Sequence, residues 1–135
     1  MLPHTEQSLV LRTDFSDDGG WESLCEEIRR PEPENGFQAY VDCVSDRQFE
    51  GVTPAQIVAM ASDGFEKSFV FLVDRMTIEN EEHPLVVIDL FAEPGRMFRV
   101  IPVAMWSVEN NLSLANLDFA DFVKSCGEDG IYRGM

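Results

Sequence analysis

The sequence predicts a single-domain α/β protein: a mixed sheet of five to six strands, with a parallel core, an antiparallel hairpin margin and flanking helices. Three observations carry this expectation. Short apolar runs alternate with segments of helical periodicity in the order β-α-β-α-β-β-β-α, and crossover helices of that kind bring successive strands into parallel register. The run Phe69-Val70-Phe71-Leu72-Val73 is apolar at every position, as a central strand covered on both faces must be. Ala92-Glu93-Pro94-Gly95-Arg96 is a short turn between two apolar runs, which makes those runs antiparallel neighbours. The domain spans 1–135, with 1–8 expected as a flexible N-terminal segment.

The first strand is expected over Leu9 to Phe15, where Arg12 and Asp14 share one face. Ser16-Asp17-Asp18 supplies cap oxygens and negative charge to a helix that aligns Trp21, Leu24, Cys25 and Ile28 on one stripe. Pro31 to Gly36 breaks that helix, and a second strand runs from Phe37 to Val44. Thr53-Pro54-Ala55-Gln56 is the strongest local signal. Thr53 is the N-cap, Pro54 occupies the first helical position and Gln56 reaches back as in a capping box. That helix buries Ile57, Met60 and Ala61 and ends near Gly64.

The third strand spans Ser68 to Asp74, and a charged link from Arg75 to His83 leads to a fourth from Leu85 to Phe91. A fifth runs from Met97 to Ile101. A short helix is expected around Val103 to Glu109, ended by Asn110-Asn111 in the left-handed conformation. Asn116 or Asp118 caps a last helix that buries Phe119, Phe122 and Val123, and Ile131-Tyr132-Arg133 adds an edge strand.

The chain carries 25 Asp+Glu against 10 Lys+Arg, a formal net charge of −15, together with an apolar fraction of 44%. That composition builds a core and argues against a disordered acidic tail. It also argues against a nucleic-acid backbone or an anionic membrane surface as partner. No apolar run has the length of a membrane span, and Met1 to Ser8 lacks the basic-then-apolar pattern of a secretion signal, so the expected compartment is the cytoplasm. The three cysteines, Cys25, Cys43 and Cys126, are widely spaced and read as reduced thiols, the first two as small buried hydrophobes. The cations are almost all arginine, with Lys67 and Lys124 the two lysines. Arginine suits bidentate pairing with carboxylates or phosphates.

Chemistry, where the sequence offers any, lies at strand ends. Asp14, Asp46 and Asp74 end apolar strands, Asp89 nearly ends another and Asp42 lies inside the second. Ligands of open α/β sheets bind in the crevice beyond the carboxyl ends of the strands. Asp14, Asp74 and Asp89 together are therefore a candidate site for a divalent metal, the one cofactor the sequence suggests. The competing reading makes each of them a helix cap or an arginine partner. Arg12, Arg75 and Arg99 are the candidate walls for an anionic ligand. Trp106, Asn110 and Asn111, from the polar run Trp106 to Asn116, offer a stacking plane and amides, or alternatively a core residue and turn formers. Asp14 to Gly19 echoes half of a calcium loop, but Cys25 stands where the bidentate glutamate belongs.

The segments Leu9 to Phe15, Phe49 to Gln56, Val73-Asp74-Arg75, Val86 to Leu90, Pro94 to Val100 and Trp106 to Phe119 together resemble a family of small, stand-alone, uncharacterised proteins found mainly in bacteria. The resemblance runs from about Leu9 to Arg133, with Asn-Leu-Ser-Leu-Ala-Asn (111–116) its most specific part. It implies one domain and transfers no activity, cofactor or catalytic residue.

Two functional expectations follow. The first is a protein-interaction module, immunity- or inhibitor-like, that binds a basic protein through its charge. The alternative is an enzyme or small-ligand binder that uses the strand-end carboxylates or the arginines. No oligomeric state is specified by the sequence.

Overall fold

The computed structural model describes residues 1–134. Its six strands are β1 (Ser8–Arg12), β2 (Val41–Val44), β3 (Phe69–Val73), β4 (Leu85–Asp89), β5 (Met97–Val100) and β6 (Ile131–Tyr132). They form one mixed sheet in the order β2-β1-β3-β4-β5-β6. β1 pairs in parallel with both β2 and β3, and β5 pairs in parallel with β6. β4 is the single reversed strand, antiparallel to both of its neighbours. The expected hairpin is present but lies inside the sheet, because β6 adds beyond β5.

Five helices accompany the sheet: α1 (Asp18–Arg29), α2 (Pro54–Ala61), α3 (Arg75–Glu79), α4 (Met105–Ser113) and α5 (Phe119–Ser125). Alternating side chains of the strands feed two cores. On one face Val10, Phe69, Phe71, Val73, Val87 and Phe98 pack with Trp21, Leu24 and Ile28 of α1 and with residues of α4 and α5. On the other, Leu9, Leu11, Val70, Leu72 and Ile88 pack with Ile57 of α2, with Phe49 and with Leu2. Within the segment 1–8, expected to be flexible, Leu2 is only 1% exposed inside this second core. Farther along, Lys67 Nζ donates to the Glu6 carbonyl at 3.0 Å.

The helix starts follow local chemistry. Asp17 Oδ1 accepts the Gly20 N–H at 2.9 Å and caps α1. A β-carbon on Gly20 would stand 2.6 Å from Asp17 Oδ2 and push the capping carboxylate aside. Thr53 and Gln56 exchange bonds at the start of α2, Gln56 N to Thr53 Oγ1 at 3.2 Å and Thr53 N to Gln56 Oε1 at 2.9 Å. At α5 the Asp118 N–H donates to Asp121 Oδ2 at 2.9 Å.

Three local expectations are corrected. β2 starts at Val41 rather than Phe37, because the preceding chain is drawn toward α4. Phe37 lies against Trp106 with ring centroids 4.7 Å apart, and the Tyr40 N–H donates to Glu109. The charged link after β3 contains α3, nucleated by Asp74, whose Oδ1 accepts the Thr77 N–H at 3.1 Å while Thr77 Oγ1 accepts the Asp74 N–H at 3.2 Å. Asn110 and Asn111 continue α4 instead of ending it; Ala115, at φ 56°, takes the left-handed position.

The last strand is fixed by an aromatic cluster. Phe98 stacks on Phe122 with centroids 5.8 Å apart, and Tyr132 meets Phe122 edge-on at 5.1 Å. Phe122 is fully buried at the centre of this group. Phe122→Ala is expected to lower stability by about 3–5 kcal/mol in urea unfolding, because it leaves a cavity under β5 and β6 that α5 alone cannot close.

Candidate functional site

The carboxyl ends of β1 and β3, where β2 and β3 flank β1 on opposite sides, are occupied by the protein's own side chains. Arg12 is 4% exposed. Its Nε donates to the Asp14 carbonyl at 2.9 Å, Nη2 to Asp18 Oδ1 at 2.8 Å and Nη1 to Ser45 Oγ at 3.3 Å. Its guanidinium also lies over the rings of Phe15, at 4.3 Å, and Trp21, at 5.4 Å. A buried cation is tolerated when it is paired and hydrogen-bonded, and each of the three Arg12 guanidinium nitrogens has a partner. The Asp14 carboxylate accepts from Ser16 Oγ at 2.7 Å. Asp46 caps the turn Arg47–Phe49 through the Gln48 N–H at 3.1 Å.

Asp74 and Arg99 form a two-bonded pair across the start of β4: Nη1 to Oδ1 at 3.0 Å and Nη2 to Oδ2 at 2.7 Å. Arg99 Nη1 also donates to the Pro84 carbonyl at 3.1 Å. Arg75 points to solvent and pairs with Glu79 at 2.7 Å, one helical turn on. Arg12, Arg75 and Arg99 thus each hold a carboxylate of the same chain.

Strand direction separates the members of the set Asp14, Asp74 and Asp89. β4 is reversed, so Asp89 stands opposite Phe69 at the start of β3, a strand length from Asp74. Its carboxylate accepts the N–H groups of Phe91, at 2.9 Å, and Glu93, at 2.8 Å, and shapes the loop that follows. Among the described residues, no group of three or more His, Cys, Asp or Glu is placed to hold a metal ion. The polar run is also dispersed: Trp106 packs on Phe37, Asn110 is exposed on α4, and Asn111 Nδ2 donates to the Ser107 carbonyl at 2.8 Å.

A groove lies at the opposite end of the sheet, where β1 and β3 begin and β4 ends. It has two halves that share Ser68, Phe69 and Ser113. The polar half, about 420 Å³, is lined by Glu6, Glu66, Glu109, Lys67 and Tyr40 among others. The apolar half, about 510 Å³, is walled by Phe69, Leu112, Leu117 and Phe119, with Phe91 at its rim. Phe91 is 81% exposed and Tyr40 62%.

Glu109 holds the polar half in shape. It is 7% exposed and accepts from the Tyr40 N–H at 3.0 Å, Ser113 Oγ at 2.8 Å and Ser8 Oγ at 3.2 Å, which joins α4 to β1 and to the approach to β2. Sequence reasoning passed over Glu109, Phe91 and the apolar wall. A signal was present for Glu109, which lies four residues after Met105 on the buried stripe of α4. None exists for Phe91, whose place depends on the reversal of β4.

The architecture defines a class: a single-domain α/β protein with a mixed six-stranded sheet, whose open groove lies at the end away from the usual strand-end crevice. A family model described as a domain of unknown function, DUF6924, matches residues 7–135, and the chain belongs to that family. No curated protein matches it. Among the described residues no helix is long and apolar enough to cross a membrane.

Burial raises the Asp74 carboxyl, but the two bonds from Arg99 and those from Thr77 outweigh it and hold the group below the usual aspartate range. A carboxyl whose folded pKa is depressed stabilises the protein above its unfolded pKa of about 3.9, and that stabilisation is lost as pH falls through the folded value. Asp74→Asn should therefore cost roughly 1–2 kcal/mol near neutral pH, discounted for a side chain one-third exposed, and the difference from wild type should shrink as pH is lowered toward 3 in chemical unfolding.

Proposed function

We propose that this domain is a protein-interaction module that receives a basic segment of another protein in the groove. An apolar side chain of the partner enters the half walled by Phe69, Leu112 and Phe119. Its neighbouring Lys or Arg residues meet Glu6 and Glu66. The observation that carries the reading is the disposition of charge. Arg12, Arg47, Arg75, Arg96, Arg99 and Arg133 are each engaged with a carboxylate of the same chain. A net charge of −15 therefore faces a partner with few free cations to offset it. At the groove itself Arg96 is tied to Glu93 at 3.2 Å, and Lys67 to the backbone of Glu6.

Such a field speeds encounter with a cationic partner, and the exposed aromatics Phe91 and Tyr40 supply the apolar contact that charge alone does not. Cysteines free of disulfides suit a reducing compartment such as the cytoplasm.

Selection from a random displayed-peptide library tests the reading. Recovered peptides should be enriched in Lys or Arg around an aromatic or aliphatic residue. The affinity of a selected peptide should fall about tenfold or more in Phe91→Ala and in Glu66→Lys, and should weaken as salt is raised. Glu34→Lys, the same charge change at an exposed position in the α1–β2 connector, should leave it nearly unchanged. Peptides without cationic enrichment, or binding indifferent to Phe91 and Glu66, would refute the proposal.

A further inference from the structure

Cys25 and Cys43 come from different elements and meet in space. Cys25 lies on the buried stripe of α1, and Cys43 is paired with Val10 in the β2–β1 register, on the face that α1 covers. Both line one cavity of about 290 Å³, together with Trp21, Glu22, Glu26 and Arg29. The cavity holds two nucleophilic sulfurs, a guanidinium and an aromatic wall. Cys25 is itself buried, while Cys43 on the edge strand is only half-buried.

Arg29 stands four residues, one helical turn, after Cys25 on α1 and lines the same cavity, which gives the Cys25 sulfur a cationic neighbour on its own helix and marks it as the attacking one. The Cys43 thiol interacts with Cys25 and stabilises its thiolate; Arg29 and Arg12 add positive charge. Together these prevail over burial and Glu22 and hold the Cys25 thiol below its usual pKa. Cys43 moves the other way: its interaction with Cys25, burial and the nearby Asp42 keep it protonated, against Arg29. Cys126 has no thiol neighbour. Its Sγ donates to the Phe122 carbonyl at 3.3 Å, and burial and Asp129 push its thiol up. Three cysteines thus divide into one interacting pair and one bystander.

We propose that Cys25 and Cys43 are an oxidisable dithiol, with Cys25 the attacking sulfur and Cys43 the resolving one, which a hydroperoxide converts into an intramolecular disulfide tying α1 to β2. In the first step the Cys25 thiolate attacks the terminal oxygen of the hydroperoxide. An S–O bond forms, the O–O bond breaks, and the alkoxide or hydroxide leaves and takes up a proton, which gives the sulfenic acid of Cys25. In the second, the Cys43 sulfur attacks that of Cys25. The S–S bond forms, the S–O bond breaks, and the departing hydroxide takes the Cys43 proton as water. Two thiols and one hydroperoxide yield one disulfide, one alcohol (water, when the oxidant is hydrogen peroxide) and one water. The sulfurs lose two electrons and the peroxide gains them. Arg29 at the cavity is placed to favour the thiolate before attack and the anionic leaving group after it.

Both cysteines pack in the first core, and the pairing adds to that role. A buried Cys on a helix stripe can be read as a small hydrophobe, but a second Cys facing it across the helix–strand contact supplies the partner that such a reading leaves unused.

The test uses the full chain and hydrogen peroxide. Reduced protein is treated with peroxide, excess peroxide is removed, remaining thiols are alkylated and the mass is read intact and after digestion. Alkylatable thiols should fall from three to one with no covalent link between chains, with peptides containing Cys25 and Cys43 joined and a dithiol reductant restoring all three. Cys126→Ser should form the same link. Cys43→Ser should stop at the sulfenic acid, trapped on Cys25 by a cyclic dione. Persistence of all three thiols, a link that involves Cys126 or a second chain, or trapping on Cys43 in Cys25→Ser in preference to Cys25 in Cys43→Ser would overturn the proposal. The mapping on the wild type decides the pairing even if a variant fails to fold.

Discussion

Strand β3 must be dry on both faces, and most of the architecture follows from that. Phe69, Phe71 and Val73 point into one core, and Val70 and Leu72 into the other, none more than 3% exposed. A strand with no solvent face needs neighbours on both edges and a cover on both sides. β1 and β4 supply the edges. α1, α4 and α5 cover one side, and α2 with Leu2 and Phe49 covers the other. The N-terminal residues are drawn in by the same demand, since Leu2 completes the second core.

Charge is arranged around this dry centre rather than inside it. The carboxylates at the parallel strand ends serve the fold: Asp46 and Asp74 begin short helical turns, and Asp18 meets the buried guanidinium of Arg12. The arginines are drawn into the same structural work, so the crevice that comparable sheets leave open for ligands is here closed by Arg12, Phe15 and Trp21. The groove lies at the other end, with the exposed side chains of Phe91, Glu66 and Tyr40 along it.

What the sequence could disclose depended on whether the cause was local. The Thr53–Gln56 capping box, the Trp21-to-Ile28 stripe and the apolar run of β3 involve neighbours within a few residues, and each is where the pattern places it. The failures involve partners far along the chain. Phe37 leaves the sheet because Trp106 receives it, and the Tyr40 N–H is satisfied by Glu109, 69 residues away. α3 is the exception: its reciprocal Asp74–Thr77 cap is local, but five residues are too short for periodicity to mark it. The strand-end carboxylates were readable as a set, but their convergence turned on the direction of β4, which a charged link of nine residues does not reveal. The same holds for Cys25 and Cys43: each is legible as buried, and only the crossing of α1 over β2 makes them a pair.

The reversal of β4 has one more effect. In an all-parallel sheet, the end where strands begin is crossed only by connections arriving from helices, and these are constrained by the helices they leave. Here a hairpin loop, Leu90 to Arg96, projects at that end, anchored at its base by the Asp89 carboxylate and by the Gly95 N–H to the Asp89 carbonyl at 2.8 Å. Leu90 at its base packs against the second core, while Phe91 beyond it is exposed. Side chains at Phe91, Ala92 and Glu93 can therefore change, and so change the rim of the groove, without disturbing the backbone N–H groups that satisfy the Asp89 carboxylate.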